Sequence, residues 1–197
     1  QGLSCSCEIM RLDCYYFDQG GKPFEERTKV NYDSPKIFDF DEMLADIRLL
    51  LDGKPVTRKG YNYVEHRRDD SEELMYPPEV LIIEGIHVFY DDRICDAMNL
   101  KLFIKVDSDI CLLRRIARDM NERGRSLESI SEQYKATVKP MREKYIDRYI
   151  DKADVVVMRG GMNEQALKTT ISYLKSCVKE QRLAESEKNE SDGNDSE

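Results

Sequence analysis

The sequence contains little of what several classes of protein require. It has two histidines and six scattered cysteines, so a zinc site is not expected and reduced thiols are the default. No apolar run reaches the ~18 residues that cross a bilayer, and no charged-then-apolar leader opens the chain. The net charge of −8 argues against general binding to nucleic acid or to a membrane surface, because both need a basic field. We therefore expect a cytoplasmic protein with neither kind of partner.

Lysine is also absent between Val106 and Tyr134, where every basic residue is an arginine. A helix face that is merely solvated would accept either residue, so the choice of arginine indicates bidentate recognition of an oxyanion such as phosphate. The alternative is that these side chains pair with Asp119 and Glu122 on a solvated helix. The arginines concerned are Arg114, Arg115, Arg118, Arg123 and Arg125.

The arginines belong to a strand–helix unit that runs from Leu102 to Arg125. Residues 102–106 suit a buried strand, Asp107 suits the N-cap of the following helix, and Gly124 lies just past its end. At about 100° per residue the helix has one apolar face, opposite Arg114, Arg115 and Arg118. This apolar face consists of Ile110, Leu113, Ile116, Ala117 and Met120.

Two further strands end in carboxylates. A strand over residues 8–12 leads to Asp13, and the apolar strand Val80–Ile83 leads to Glu84 and Gly85. An apolar strand that ends in an acid is typical of an element that holds Mg²⁺ near phosphates, and open α/β sheets place their chemistry at the carboxyl ends of strands. A lone Asp after a strand can equally be a turn or a cap.

The remaining pattern predicts helices over residues 41–51, about 92–98, 126 to about 138 (interrupted by Pro140) and 163–179, with a last strand at 153–158. A β-hairpin is expected within residues 56–78, where Tyr61, Tyr63 and His66 could stack on a planar base or simply pack the hairpin.

Strands alternating with helices predict an α/β domain, with a mostly parallel sheet covered on both faces, over residues 1–182. Residues 183–197 are acidic and lack apolar support, so we expect a disordered tail.

The spaced motifs resemble the uridine kinase family, within the group that includes phosphoribulokinase. The resemblance covers about residues 10–176. Its elements include Leu12-Asp13-x-Tyr15-Tyr16, Asn31-Tyr32-Asp33-x-Pro35, Tyr61-x-Tyr63-x-x-His66, Glu84-Gly85-Ile86, Arg114-Arg115-x-x-Arg118-Asp119, Glu122-Arg123-Gly124-Arg125, Gln133-Tyr134 and Arg159-Gly160-Gly161.

This resemblance implies an ATP- and Mg²⁺-dependent kinase that phosphorylates the 5′-hydroxyl of uridine or cytidine, in a homo-oligomer that is a tetramer in the family. Asp13 would be the catalytic base and Glu84 the Mg²⁺ ligand. The ATP phosphates would contact Arg118 and Arg123. The nucleoside would be held by Tyr16, Asp33, Tyr61, Tyr63, His66, Arg115, Arg125 and Gln133, with Asp33 and Arg115 on the ribose hydroxyls.

One motif of that family is absent from the sequence. The phosphate-binding loop G-x-x-x-x-G-K-[ST] does not occur at any of the ten glycines. By resemblance the sheet order is 2-3-1-4-5, and we expect strand 1, the loop and its helix to be missing, which leaves a gap or a forced pairing between residues 80–83 and 102–106. Three interpretations follow: a fragment or misassembled product of a working kinase, a non-catalytic relative that binds a nucleoside or a partner subunit, and a kinase for another sugar acceptor.

Overall fold

The computed structural model describes the backbone of residues 5–194 and the side chains of residues 5–69 and 72–187. The strands in this part are β1 (Cys7–Arg11), β2 (Val56–Asn62), β3 (Arg67–Met75), β4 (Val80–Glu84), β5 (Leu102–Lys105) and β6 (Val155–Met158). The α-helices are α1 (Phe24–Arg27), α2 (Phe40–Leu51), α3 (Asp92–Asp96), α4 (Ser108–Arg123), α5 (Leu127–Gln133), α6 (Lys139–Lys144) and α7 (Glu164–Asn194). The chain is therefore a mixed α/β protein, as the sequence predicts.

The strands pair two by two. β1 lies parallel to β4 and β5 lies parallel to β6, while β2 and β3 form the expected antiparallel hairpin. Within residues 5–194, β4 and β5 do not pair with each other. The expected gap between these two strands is thus present, and it forms a cavity of about 510 Å³ lined largely by apolar side chains, among them Leu81, Ile83, Phe103 and Tyr149.

The main core lies on one side of this gap, where β1, α2 and the foot of the hairpin meet. Met10, Met43 and Ile94 are fully buried there. Leu44 and Ile47 of α2 are three residues apart, so they lie on the same face of the helix and pack into this core. A smaller cluster of Phe89, Cys95 and Tyr149 lies beside it.

All six cysteines are free thiols. In the described part of the chain, no helix combines the length and the apolar character needed to cross a bilayer.

The strands that flank the gap are less buried than the sequence predicts. Ile82 of β4 is 40% exposed and Ile104 of β5 is 58% exposed, although both were expected in buried strands. The predicted apolar face of α4 is also open, with Leu113 61% exposed, whereas the fully buried residue of this helix is Asp119. The side of α4 that meets the rest of the protein is thus the one that carries Asp119 and Arg115.

Two helical boundaries also differ from the prediction. Pro140 does not end the helical segment: a π-type turn over Tyr134–Val138 leads into α6, where Pro140 lies in the first turn, a position at which proline is tolerated. The expected tail from residue 183 overlaps α7, which continues to Asn194 through alanine, glutamate and lysine, residues that favour helix. The rest of the expected tail, residues 195–197, lies outside the described residues.

Candidate active site

The two candidate carboxylates are brought together by the parallel pairing of β1 and β4. Arg11 lies opposite Glu84 in the register, so Asp13, two residues after β1, is at the same edge of the sheet as Glu84. Gly85 follows with φ +155°, and a Cβ atom there would come within 2.5 Å of the Leu12 Cβ. A glycine is required at this position because the chain turns in close contact with Leu12.

All of the residues assigned by resemblance line one cavity of about 530 Å³. Asp13 and Glu84 lie at the sheet edge, the hairpin side chains and the arginines form the walls, and the remaining candidates close the space between them. The cavity includes Asp13, Tyr16, Asp33, Tyr61, Tyr63, His66, Glu84, Arg115, Arg118, Arg123, Arg125 and Gln133. Residues separated by more than a hundred positions in the chain therefore share one site.

The arginines of the cavity are held by a buried carboxylate. Asp119 has no exposed side-chain surface, and its oxygens lie 2.9 Å from a terminal nitrogen of Arg118 and 3.2 Å from one of Arg123. Arg115 Nε is 3.5 Å away and Arg125 3.8 Å away. The left-handed Gly124, at φ +62°, ends α4 and allows Arg125 to return towards Asp119. One negative charge thus orients four guanidinium groups and leaves an excess of positive charge.

Asp33 and Arg115 form the polar side of the cavity that the resemblance assigns to ribose. Arg115 lies 3.6 Å from an Asp33 oxygen, and Thr137 donates a hydrogen bond of 3.0 Å to the other oxygen. Arg115 also donates to the side-chain oxygen of Gln133, which accepts a second hydrogen bond from Arg125. Both carboxylate oxygens of Asp33 are thereby oriented before any ligand binds.

The aromatic wall comes from the hairpin and from the segment before α2. Tyr32 stacks on His66 with ring centroids 4.9 Å apart, and Tyr16 lies 4.6 Å from Tyr61. His66 adopts the left-handed conformation at φ +52°, and burial together with Arg125 and Arg123 lowers the pKa of its imidazole, so this ring is neutral at neutral pH. A flat, neutral wall of this kind can accept a planar base by stacking.

Several residues of the site were not predicted from the sequence. Phe24, Thr28, Tyr32, Val64 and Ile86 also line the cavity. The position of Tyr32 beside Asp33, within a motif that was already noted, was the available signal. Ile86 likewise belongs to the noted motif Glu84-Gly85-Ile86. For Thr28 and Val64, the sequence offers no signal that separates them from ordinary surface or core positions.

His87 supports Asp33 from behind the cavity. Its Nε2 lies 2.8 Å from the Asp33 carbonyl oxygen, which can only accept, so the proton is on Nε2. Nδ1 then accepts from the Tyr149 hydroxyl at 2.9 Å. Burial lowers the pKa of His87, which keeps the ring neutral in this arrangement. The sequence pattern did not single out this histidine.

Glu84 is the candidate ligand for a divalent cation. Burial and the neighbouring Asp13 raise the pKa of Glu84, while Arg11, at 3.6 Å, opposes this effect. A cation bound by Glu84 would offset the repulsion between the two carboxylates, so the residues present fit Mg²⁺. No cluster of three or more metal-ligating side chains occurs among the described residues.

Comparisons with known proteins place the chain in a family. The sequence profile of the Phosphoribulokinase / Uridine kinase family matches residues 7–166. A uridine kinase of Ligilactobacillus salivarius is 42% identical over 171 residues, which cover 87% of this chain and 80% of that protein. A uridine kinase of Streptococcus gordonii is 44% identical over 174 residues, covering 88% and 83%. The structure of phosphoribulokinase from Rhodobacter spheroides superposes with a TM-score of 0.60 over 78% of this chain and 60% of that one, at 13% identity, which bears on the fold alone.

Proposed function

Because this chain belongs to the phosphoribulokinase/uridine kinase family, we propose that it is a nucleoside kinase, which converts uridine and cytidine to UMP and CMP in pyrimidine salvage. The γ-phosphoryl group of ATP moves to the 5′-hydroxyl, ADP leaves, and the hydroxyl proton is transferred to a carboxylate. The observation that carries the proposal is the single cavity in which a carboxylate pair, an arginine cluster, a polar ribose side and an aromatic wall meet.

Asp13 is the proposed base. It lies at the carboxyl end of β1 next to Glu84, so a hydroxyl bound between them would be near both the base and the cation site. A carboxylate suffices as base because phosphoryl transfer depends mainly on positioning and on stabilisation of charge. Glu84 would hold Mg²⁺, which neutralises charge on the phosphates when bound.

Arg118 and Arg123 are the proposed phosphate contacts. Both reach the cavity while remaining tied to Asp119, and their planar forks match phosphate oxygens in pairs. The sequence has no G-x-x-x-x-G-K-[ST] loop, so this chain supplies charge for the phosphates without the usual nest of backbone amides. We therefore expect weak ATP binding by the chain as given.

Asp33 and Arg115 are the proposed ribose contacts, and the aromatic wall is the proposed base site. Loss of the 2′-hydroxyl would leave a polar pair without its partner, so deoxyribonucleosides should bind much more weakly. The stacked rings of Tyr32 and His66 border this base site, and the resemblance implies that the base is a pyrimidine.

Isothermal titration of the chain with nucleosides tests the proposal without relying on turnover. We expect uridine and cytidine to bind, and 2′-deoxyuridine and adenosine to bind at least ~10²-fold more weakly. Equal affinity for uridine and 2′-deoxyuridine would contradict the ribose assignment. No binding of any nucleoside, with binding of a sugar phosphate instead, would favour the other sugar-kinase branch.

Turnover is tested with ATP, Mg²⁺ and labelled uridine. We expect slow UMP formation by the chain as given, and faster formation after a strand–loop–helix segment carrying G-x-x-x-x-G-K-[ST] is fused to it. In that fusion, Asp13→Asn should lower kcat on the order of 10²-fold or more with little change in nucleoside binding. An Asp13→Asn fusion with unchanged kcat would exclude Asp13 as the base.

A further inference from the structure

The hydroxyl of Tyr63 contacts the proposed base. It donates a hydrogen bond of 2.6 Å to Oδ2 of Asp13, across 50 positions of sequence and from the hairpin to the end of β1. From this contact we propose that Tyr63 is a positioning residue, which fixes the Asp13 carboxylate so that its other oxygen accepts the proton of the nucleoside 5′-hydroxyl. This inference rests on the proposed function and adds a role for Tyr63 beyond the base pocket.

The ring of Tyr63 is held independently of its hydroxyl. The Arg123 guanidinium lies 5.1 Å from the ring centroid, and Tyr61 meets the ring edge-on at 5.2 Å. A phenylalanine would keep both contacts, so packing of the hairpin does not explain why a hydroxyl is present at this position. The hydrogen bond to Asp13 explains the presence of this hydroxyl.

The bond has a definite geometric consequence. An Asp carboxylate can turn about its last torsion angle, whose energy profile is broad, so an unrestrained group presents its oxygens in a range of directions. A short hydrogen bond to Oδ2 restricts that rotation, and bonds between a hydroxyl and a carboxylate are among the strong ones. Oδ1 is then left for the substrate. Since positioning dominates phosphoryl transfer, a fixed acceptor oxygen is of direct use.

The phenol is suited to remain the donor. Burial and the hydrogen bond to Asp13 raise the pKa of Tyr63, so the hydroxyl keeps its proton at neutral pH. Other titratable or charged groups also surround Asp13 and Tyr63. They are Cys14, Tyr16, Tyr61, Glu84 and Arg123.

The first test measures the contribution of the 5′-hydroxyl to nucleoside affinity. Uridine and 5′-deoxyuridine are titrated into the full chain and into Tyr63→Phe, with Asp13→Asn and Tyr76→Phe as references. Tyr76 is 64% exposed and lies outside the cavity. We expect the chain to prefer uridine by about tenfold, as for one hydrogen bond to a charged group. Tyr63→Phe and Asp13→Asn should lose most of this preference, whereas Tyr76→Phe keeps it.

Two results of that titration would overturn the inference. One is a Tyr63→Phe chain that retains the full preference for uridine. The other is tighter uridine binding by Tyr63→Phe, as expected if the phenol merely occupies the place of the substrate hydroxyl. A purely structural role would lower the affinity for both ligands equally and leave the preference intact, which also contradicts the inference.

A double-mutant cycle separates this inference from the proposed function. Unfolding temperatures of the chain, Asp13→Asn, Tyr63→Phe and the double variant need no ligand. We expect the shifts to be non-additive, because both substitutions act on the same hydrogen bond: Tyr63→Phe removes its donor and Asp13→Asn removes the charge of its acceptor. Additive shifts would refute the coupling of the two residues. If the chain bound no uridine while the cycle remained non-additive, the proposed function would fail and the Tyr63–Asp13 contact would stand.

Discussion

Asp119 shows how a single side chain sets the electrostatics of the cavity. Its carboxylate is fully buried and lies within 4 Å of four arginines, three of which come from α4 itself. The two interpretations of these arginines, pairing with Asp119 or binding an oxyanion, are therefore compatible. The guanidinium groups pair with Asp119 on one side and border the cavity on the other.

Replacement of Asp119 by asparagine tests this arrangement. The amide has the same shape but removes the one charge around which the guanidinium groups are gathered, so they repel each other. Because breaking a buried ion pair by removing one partner is costly, we expect a loss of about 3 kcal/mol in the free energy of unfolding. Glu122→Gln, an identical charge change at an exposed position of the same helix, should cost little.

Chemical unfolding of both variants and titration of each with uridine supply the measurements. Asp119→Asn should also weaken uridine binding, because Arg115 and Arg125 lose their common anchor. Equal stability and equal uridine affinity in the two variants would show that the arginines hold their positions without Asp119.

The residues that sequence reasoning missed share a physical reason. His87 lies between apolar residues and reads as a core position, and its role depends on meeting Asp33 and Tyr149 across long stretches of chain. Chemistry-bearing side chains with distinctive spacing could be predicted. A contact made through a backbone carbonyl has no sequence signature at all.

Among the elements, the periodicity of apolar residues predicted the existence and the end of α4, but not which of its faces packs against the rest of the protein. The spacing of apolar residues fixes the angle between the two faces of a helix, and the cap at Gly124 is as expected. Periodicity cannot say which face meets protein, and here the polar face does so because Asp119 and the arginines form part of the site. The exposure of Ile82 and Ile104 has the same origin, since burial of β4 and β5 depends on what lies beside them.

The junction of β1 and β4 gives a prediction at this scale. Gly85→Ala would place a methyl group 2.5 Å from the Leu12 Cβ, in a backbone conformation that other residues rarely adopt. We expect a loss of about 2–4 kcal/mol in the free energy of unfolding from strain and overpacking together. Uridine affinity should fall as well, because Glu84 and Asp13 are set by this junction.

Gly21→Ala is the matched control, since nothing lies within 4 Å of its added methyl group. Denaturant unfolding of both variants, followed by circular dichroism, gives the comparison. A Gly85→Ala chain as stable as Gly21→Ala would mean that the turn after β4 adjusts freely and that Gly85 is not required there.

For the whole molecule, local pattern predicted an α/β architecture and the hairpin excursion, and the resemblance implied the order of the strands. The pairs β1–β4 and β5–β6 agree with the neighbours in the expected strand order, and the position between β4 and β5 is not filled by the described residues. The main core and the smaller cluster are connected through Val88, Tyr90 and Met98, which pack against both. Side-chain contacts across the gap thus replace a backbone ladder.

This organisation has a consequence for how the chain unfolds. Two unpaired strand edges forgo ladder hydrogen bonds worth about 1 kcal/mol each, and the apolar gap leaves side chains of β4 and β5 poorly covered. A domain is stabilised by only about 5–15 kcal/mol in total, so a loss of several ladder bonds is a large fraction. We expect the isolated chain to be poorly soluble or partly molten, with a broad calorimetric transition and binding of a hydrophobic dye.

A single sharp transition with equal calorimetric and van't Hoff enthalpies would show that the contacts across the gap suffice to close the domain. The interpretation as a non-catalytic relative, able to fold and bind a nucleoside as it stands, would then be preferred over that of a fragment.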